Sequence, residues 1–158
     1  MASSHMPRST SPRPSAAQAG RLSYAIFALA RAHRAQAAKL LRDLGLHPGQ
    51  ELLLMQLLDR DGQTQSELLE AVGLDHSTVS KSLKRMQEAG LVTRTPADHD
   101  RRVLRVFLTS RGEAMRAPLE GLWRELERRS TRGLDDATVE QFVRTAESIE
   151  QSIADHAD

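Results

Sequence analysis

The residues with the clearest chemical potential lie between Asp75 and Arg105. Val79, Leu83 and Met86 fall at i, i+4 and i+7, a spacing that predicts one buried stripe of a helix. Ser77, Ser80, Lys81, Lys84 and Arg85 then project from the other side, with Thr78 beside them in the first turn. Ammonium and guanidinium groups neutralise phosphates, and short hydroxyls reach phosphates or base edges in a major groove. Further on, Asp100, Arg101 and Arg102 are adjacent in a polar stretch. A carboxylate one residue removed from an arginine can hold the guanidinium in a fixed direction, so that less side-chain freedom is lost when it meets a phosphate. The bland alternatives are a solvated helix face and a surface turn ion pair worth about 0–1 kcal/mol.

The elements that must position these residues are well punctuated. Thr64-Gln65-Ser66-Glu67 is a capping box, in which Thr and Glu satisfy each other's helix-end amides. It predicts a short helix with Leu68, Leu69 and Val72 apolar, stopped by Gly73. Asp75 is placed to cap a second helix, His76 to Ala89, which Gly90 ends. Helix, tight glycine turn, helix is the helix-turn-helix pattern. Leu91–Thr95 and Val103–Leu108 read as strands joined by a charged loop that carries the two arginines, hence a β-hairpin. A helix-turn-helix followed by a basic hairpin predicts a winged helix, with the helix in a major groove and the wing near a minor groove or the backbone.

These residues resemble a known family. Ser66-Glu67-Leu68-Leu69, Ser77-Thr78-Val79-Ser80-Lys81, Gly90-Leu91-Val92-Thr93-Arg94 and above all Asp100-Arg101-Arg102, followed by Leu108-Thr109 and Gly112, are similar to the signature of the MarR-type transcriptional regulators. The resemblance runs from about Leu22 to Ile153. It implies a double-stranded DNA partner contacted by Ser77, Thr78, Ser80, Lys81, Lys84, Arg101 and Arg102. It also implies that Asp100 shapes the wing and that either Arg101 or Arg102 is the inserted arginine. Relatives of this type bind small aromatic acids or phenols between the dimer-forming helices and the DNA-binding lobe. By position Tyr24, Phe27, His33, Arg34 and Trp123 would line such a pocket, with Arg34 facing a carboxylate; ordinary core or dimer packing is the competing role for each.

The rest of the chain supplies the frame. A helix from Leu22 to Leu44 is expected, with Leu22, Ile26, Ala30, Ala37, Leu40, Leu41 and Leu44 at helical spacing. His47-Pro48 should open the next, Pro48 suiting the first helical position. One helix is expected from about Arg111 to Thr131, and a last one, capped by Asp135, to about Ala154. The winged unit is thus flanked by long amphipathic helices whose stripes one lobe cannot cover. They are expected to interlock with a second copy in a two-fold homodimer, which presents reading helices roughly 34 Å apart to a pseudo-palindromic site. The expected class is mainly α with a small β-hairpin wing (α+β). It divides into a disordered tail (1–18), an N-terminal dimerisation helix (19–45), the winged helix-turn-helix lobe (46–109) and C-terminal helices completing the dimerisation region (110–158). Met1–Met6 reads as an expression remnant, with the natural start near Met6.

Composition bounds the function. The chain has 158 residues and a formal net charge of +1, so bulk charge does not announce a nucleic-acid partner. Its distribution does: Lys81, Lys84, Arg85, Arg94, Arg101, Arg102 and Arg105 outweigh Asp75, Glu88, Asp98 and Asp100, while the segment after Asp135 is acidic. The chain contains no cysteine, which fits a cytoplasmic protein and excludes a cysteine redox switch. No apolar run approaches the ~18 residues of a membrane span. His5, His33, His47, His76, His99 and His156 show no i, i+3 or i, i+4 pairing, so no metal and no cofactor are expected. Neither a phosphate loop nor a nucleophile elbow is present, and no catalytic residue is expected. The leading expectation is a dimeric, sequence-specific DNA-binding repressor, released by a small aromatic ligand. The alternative is an architectural or protein-interaction winged-helix module without ligand response.

Overall fold

The computed structural model describes residues 13–156. By internal contacts the chain divides into residues 1–35 and residues 36–158. Among its described residues the first unit contains a 3-10 turn, Ser15–Gln18, and the start of helix α1 (Arg21–Asp43). Ser15–Gln18 falls in the stretch expected to be a disordered tail; residues 1–12 lie outside the described residues. Within this unit Leu22, Ile26, Phe27 and Leu29 are exposed. Tyr24 and Phe27 stack tilted with ring centroids 6.1 Å apart, and the Arg31 guanidinium lies 5.6 Å above the Phe27 ring.

In the second unit the end of α1 contributes Ala37 and Leu41 to the core. Helix α2 (Gln50–Asp59) buries Leu53, Leu54 and Leu57. It starts later than His47-Pro48 suggested. Gly49, at φ 98°, is the N-cap, because two side chains turn back to the free amides: Gln50 Oε1 accepts the His47 N–H (3.0 Å) and the buried Glu51 accepts the Gly49 N–H (2.7 Å). Strand β1 (Gln63–Thr64) leads into α3 (Gln65–Val72) and α4 (His76–Glu88). The hairpin is β2 (Val92–Pro96) and β3 (Leu104–Leu108). All three strands are antiparallel in the order β1-β3-β2, with Val92 opposite Leu108 and Pro96 opposite Leu104. β1 was not expected.

The helix expected over 111–131 is broken into α5 (Ser110–Glu113) and α6 (Arg116–Ser130). Pro118 has no N–H to give to the Ala114 carbonyl, so a new helix begins just before it, where proline fits the first turn. Thr109 caps α5 through the Gly112 N–H, and its own N–H bonds the Leu91 carbonyl at 3.0 Å. Gly112 packs so closely there that a Cβ would lie 2.1 Å from that carbonyl oxygen. Helix α7 (Asp136–Ala154), capped by Asp135, has no buried residue; Phe142, Val143 and Ile153 are exposed. The fold is mainly helical with a small antiparallel wing, as expected.

Candidate nucleic-acid interface

The local rules set the geometry of the helix-turn-helix. Thr64 and Glu67 form the reciprocal capping box: the Thr64 N–H donates to Glu67 (2.7 Å) and the Glu67 N–H to the Thr64 hydroxyl (3.2 Å). Those bonds to Thr64, and then Arg60, hold the Glu67 carboxyl below its usual range. Gly73 takes φ 63°, which turns the chain into α4. Asp75 caps α4 by accepting the Thr78 N–H at 2.9 Å and the Thr78 hydroxyl. Those two bonds, the hydroxyl's first, pull its carboxyl down from 3.8 to about 2.

α4 then divides cleanly. Val79, Leu83 and Met86 are fully buried, while Ser77, Lys81, Lys84 and Arg85 are exposed and Ser80 is half-buried. With the apolar stripe fixed against the core, Ser77, Lys81, Lys84 and Arg85 are left on the solvent side, while Ser82 is buried beside the stripe. Thr78 differs from its neighbours: its hydroxyl proton is engaged by Asp75, so its first role is to close the cap. At the far end of the helix, Arg94 of β2 donates from Nε to Gln87 Oε1 at 2.6 Å, tying α4 to the wing.

The hairpin tip carries Arg101 and Arg102, both exposed. Ala97 continues the ladder by donating to the Val103 carbonyl (2.7 Å), and Val103 donates to that of Asp100 (3.0 Å). Asp100 shapes the tip differently from expectation. Its carboxylate accepts the backbone N–H of Arg102 at 2.9 Å, and among the described residues no ion pair joins it to a guanidinium. The backbone amide lies nearer to a carboxylate two residues back than the end of a long side chain does, so the turn is fixed while the arginine heads stay available.

Of the residues considered for a ligand pocket, Tyr24 is half-buried and Phe27 exposed on α1, with His33 and Arg34 half-buried further along. Trp123, on α6, donates its indole N–H to Met55 Sδ at 3.0 Å. It lines an open groove of about 440 Å³ between α2 and α6, with Met55, Leu58, Leu119 and Arg116 among its walls. Among the described residues no group of three histidine or acidic side chains is arranged for a metal ion. Nor, among the described residues, is any helix long and apolar enough to cross a membrane.

Periodicity missed Arg105 and Asp61. Arg105 Nη1 donates to the Gly62 carbonyl (2.8 Å), and Asp61 Oδ1 accepts the Leu108 N–H (2.9 Å). The one available signal was the alternation of Val103–Leu108, which sets Arg105 on the face opposite Val106.

A helix-turn-helix backed by a three-stranded wing defines a winged helix-turn-helix protein. The model of the MarR family matches residues 44–103, a stretch that lies within the winged lobe and covers less than half of the chain. Among curated proteins, the uncharacterized HTH-type transcriptional regulator YybA of Bacillus subtilis (strain 168) is 27% identical over 72 residues, 46% of this chain and 48% of that protein. The chain thus matches about half the length of that relative. Among solved structures, a MarR transcriptional regulator from Methanosarcina mazei Go1 superposes with a TM-score of 0.77 at 24% identity, covering 85% of this chain and 97% of that one. Bordetella bronchiseptica BpsR, whose structure addresses regulation of its DNA binding by 6-hydroxynicotinic acid, gives 0.76 at 20% identity, covering 82% and 98%. At these identities the structural likenesses establish the fold.

Proposed function

We propose that the protein is a dimeric, sequence-specific DNA-binding transcriptional regulator acting as a repressor at a pseudo-palindromic operator. The observation that carries this reading is the division of α4. Its apolar stripe is buried without remainder, and Ser77, Lys81 and Lys84 face outward beside a hairpin tipped by Arg101 and Arg102. Lysine and arginine supply phosphate contacts that set register; Ser77 and Ser80 reach base edges in the major groove. One arginine of the wing enters the neighbouring minor groove.

The apolar residues left exposed on α1 and α7 support a second copy of the chain as the partner that covers them. Charge supports it too: α1 carries Arg21, Arg31, Arg34, Lys39 and Arg42 against Asp43 alone, whereas α7 carries Asp136, Glu140, Glu147 and Glu150 against Arg144 alone. A small aromatic acid releases the DNA by favouring a dimer geometry whose reading helices no longer match successive grooves. The regulation of BpsR named above supports that clause, as does the aromatic wall formed by Trp123.

The test is a footprint of the protein on the DNA upstream of its own coding sequence. A protected pseudo-palindrome is the expected result. Uniform weak coating would instead indicate an architectural module, and the regulator reading would be withdrawn.

A further inference from the structure

Strand β3 leads directly out of the wing tip, yet β1 pairs with it over two residues only, Gln63 with Val106 and Thr64 with Arg105. Side chains extend that short ladder. The Asp61 carboxylate takes the Leu108 N–H, two residue pairs beyond where the strand pairing stops, and Arg105 reaches back to the Gly62 carbonyl. Phe107 packs against Gly62 so tightly that a Cβ there would lie 2.7 Å from the ring. The turn that receives these contacts is itself fixed. Buried Gln63 donates its amide to the carbonyls of Gln56 (2.8 Å) and Arg60 (2.7 Å), and Arg60 pairs with Glu67 at 3.2 Å. Without Asp61 and Arg105 the hairpin would be little more than a two-stranded ribbon, which is marginal in water and twists freely.

We propose that Asp61 and Arg105 are positioning residues that clamp the base of the wing to the α2–α3 turn and so set where Arg102 meets DNA. The proposal rests on the DNA-binding reading above. Neither residue serves as a phosphate contact in this role. The Arg105 guanidinium is half-buried and engaged with a backbone carbonyl, and Asp61 has the wrong sign. That sign makes the test sharp. By charge alone, Asp61→Ala strengthens binding to a polyanion; by loss of the clamp, it weakens specific binding.

The experiment is a double-mutant cycle of Asp61→Ala with Arg102→Ala. Affinity is measured for a duplex that the full-length wild-type protein selects from a randomised pool, and for an unselected duplex of equal length. In the wild-type background Arg102→Ala is expected to weaken binding to the selected duplex by about tenfold or more. In the Asp61→Ala background the same change should cost about threefold or less, because a loose wing no longer delivers the arginine. Asp61→Ala alone should lower the ratio of selected to unselected affinity, and Asp61→Asn, which keeps an acceptor oxygen, should restore it. Amide exchange should quicken at Leu108 and stay unchanged in the interior of α4. If Asp61→Ala does not fold, Arg105→Met, which keeps the stem and removes the donors, completes the same cycle. Equal cost of Arg102→Ala in both backgrounds overturns the clamp. An Arg102→Ala without cost in the wild-type background overturns the clamp's stated purpose but leaves DNA binding standing, whereas a wild-type protein that selects no duplex overturns the DNA-binding reading itself, and the clamp with it.

Discussion

Replacing Gly112 by alanine sets two physical effects against each other. Gly112 is inside α5 with no unusual backbone conformation, so intrinsic propensity favours alanine there by ~1 kcal/mol. Space opposes it. The new Cβ would lie 2.1 Å from the Leu91 carbonyl oxygen and 2.9 Å from Leu108 Cδ2. An ordinary contact sits near ~3.5 Å, so roughly 1.4 Å of movement is required. The oxygen cannot retreat freely, because it holds the Thr109 N–H at 3.0 Å where β2 begins. Overpacking costs ~1–3 kcal/mol and weakening that hydrogen bond ~1 kcal/mol more. The net is a loss of roughly 1–3 kcal/mol, or about 3–10 °C in Tm for a chain of this size. Urea denaturation at fixed protein concentration reads this as a lower midpoint with an unchanged slope. Gly121→Ala in α6 is the control. Its Cβ would meet only Arg124 Nη2 at 4.0 Å, so that variant should gain ~0.5–1 kcal/mol. If Gly112→Ala proved as stable as wild type, the close approach would be no constraint on the fold, and the reasoning would be wrong.

Three other outcomes are expected. Lys81→Ala should weaken DNA binding with helicity intact and reduce the slope of log affinity against log salt by about one unit; an unchanged slope removes Lys81 from the phosphate contacts. The folded pKa of Asp75, about 2, lies below its ordinary 3.8, so its capping contribution is full above pH 4 and disappears as pH falls toward 2. Carboxyl NMR should show that depressed titration, and Asp75→Ala should remove the corresponding part of the acid unfolding curve; a titration near 3.8 contradicts the cap. Phe142→Glu puts a charge on the exposed apolar face of α7 and should shift sedimentation from twice 17.5 kDa to that mass itself, whereas an unaltered dimer would place the interface elsewhere.

What was legible in the sequence was local. The Thr64–Glu67 box, the stop at Gly73 and the Asp75 cap each depend on residues within one helical turn, and all three appear as expected. The sidedness of α4 followed from its apolar stripe. Where two local solutions competed, pattern did not decide between them. Gln50 and Glu51 cap the amides ahead of α2, displacing the first helical residue from Pro48 to Gln50, and Pro118 restarts a helix that apolar periodicity ran straight through. Asp100 had two partners within reach in Arg102, and chose the amide over the guanidinium. The contacts of Arg105 and Asp61 were invisible for a different reason. They join positions 43 and 47 residues apart, and no windowed pattern spans that distance.

The strand order β1-β3-β2 also bears on how this protein survives at high concentration. A hairpin that must protrude offers its rim to any passing strand, which invites sheet-to-sheet growth. Here the central strand has a neighbour on each flank. One rim, β1, is two residues long and too short to template a neighbour. The other, β2, ends in Pro96, which has no N–H to lend, and carries the charge of Arg94 midway along. Both rims of the small sheet therefore give other polypeptides little ladder to climb.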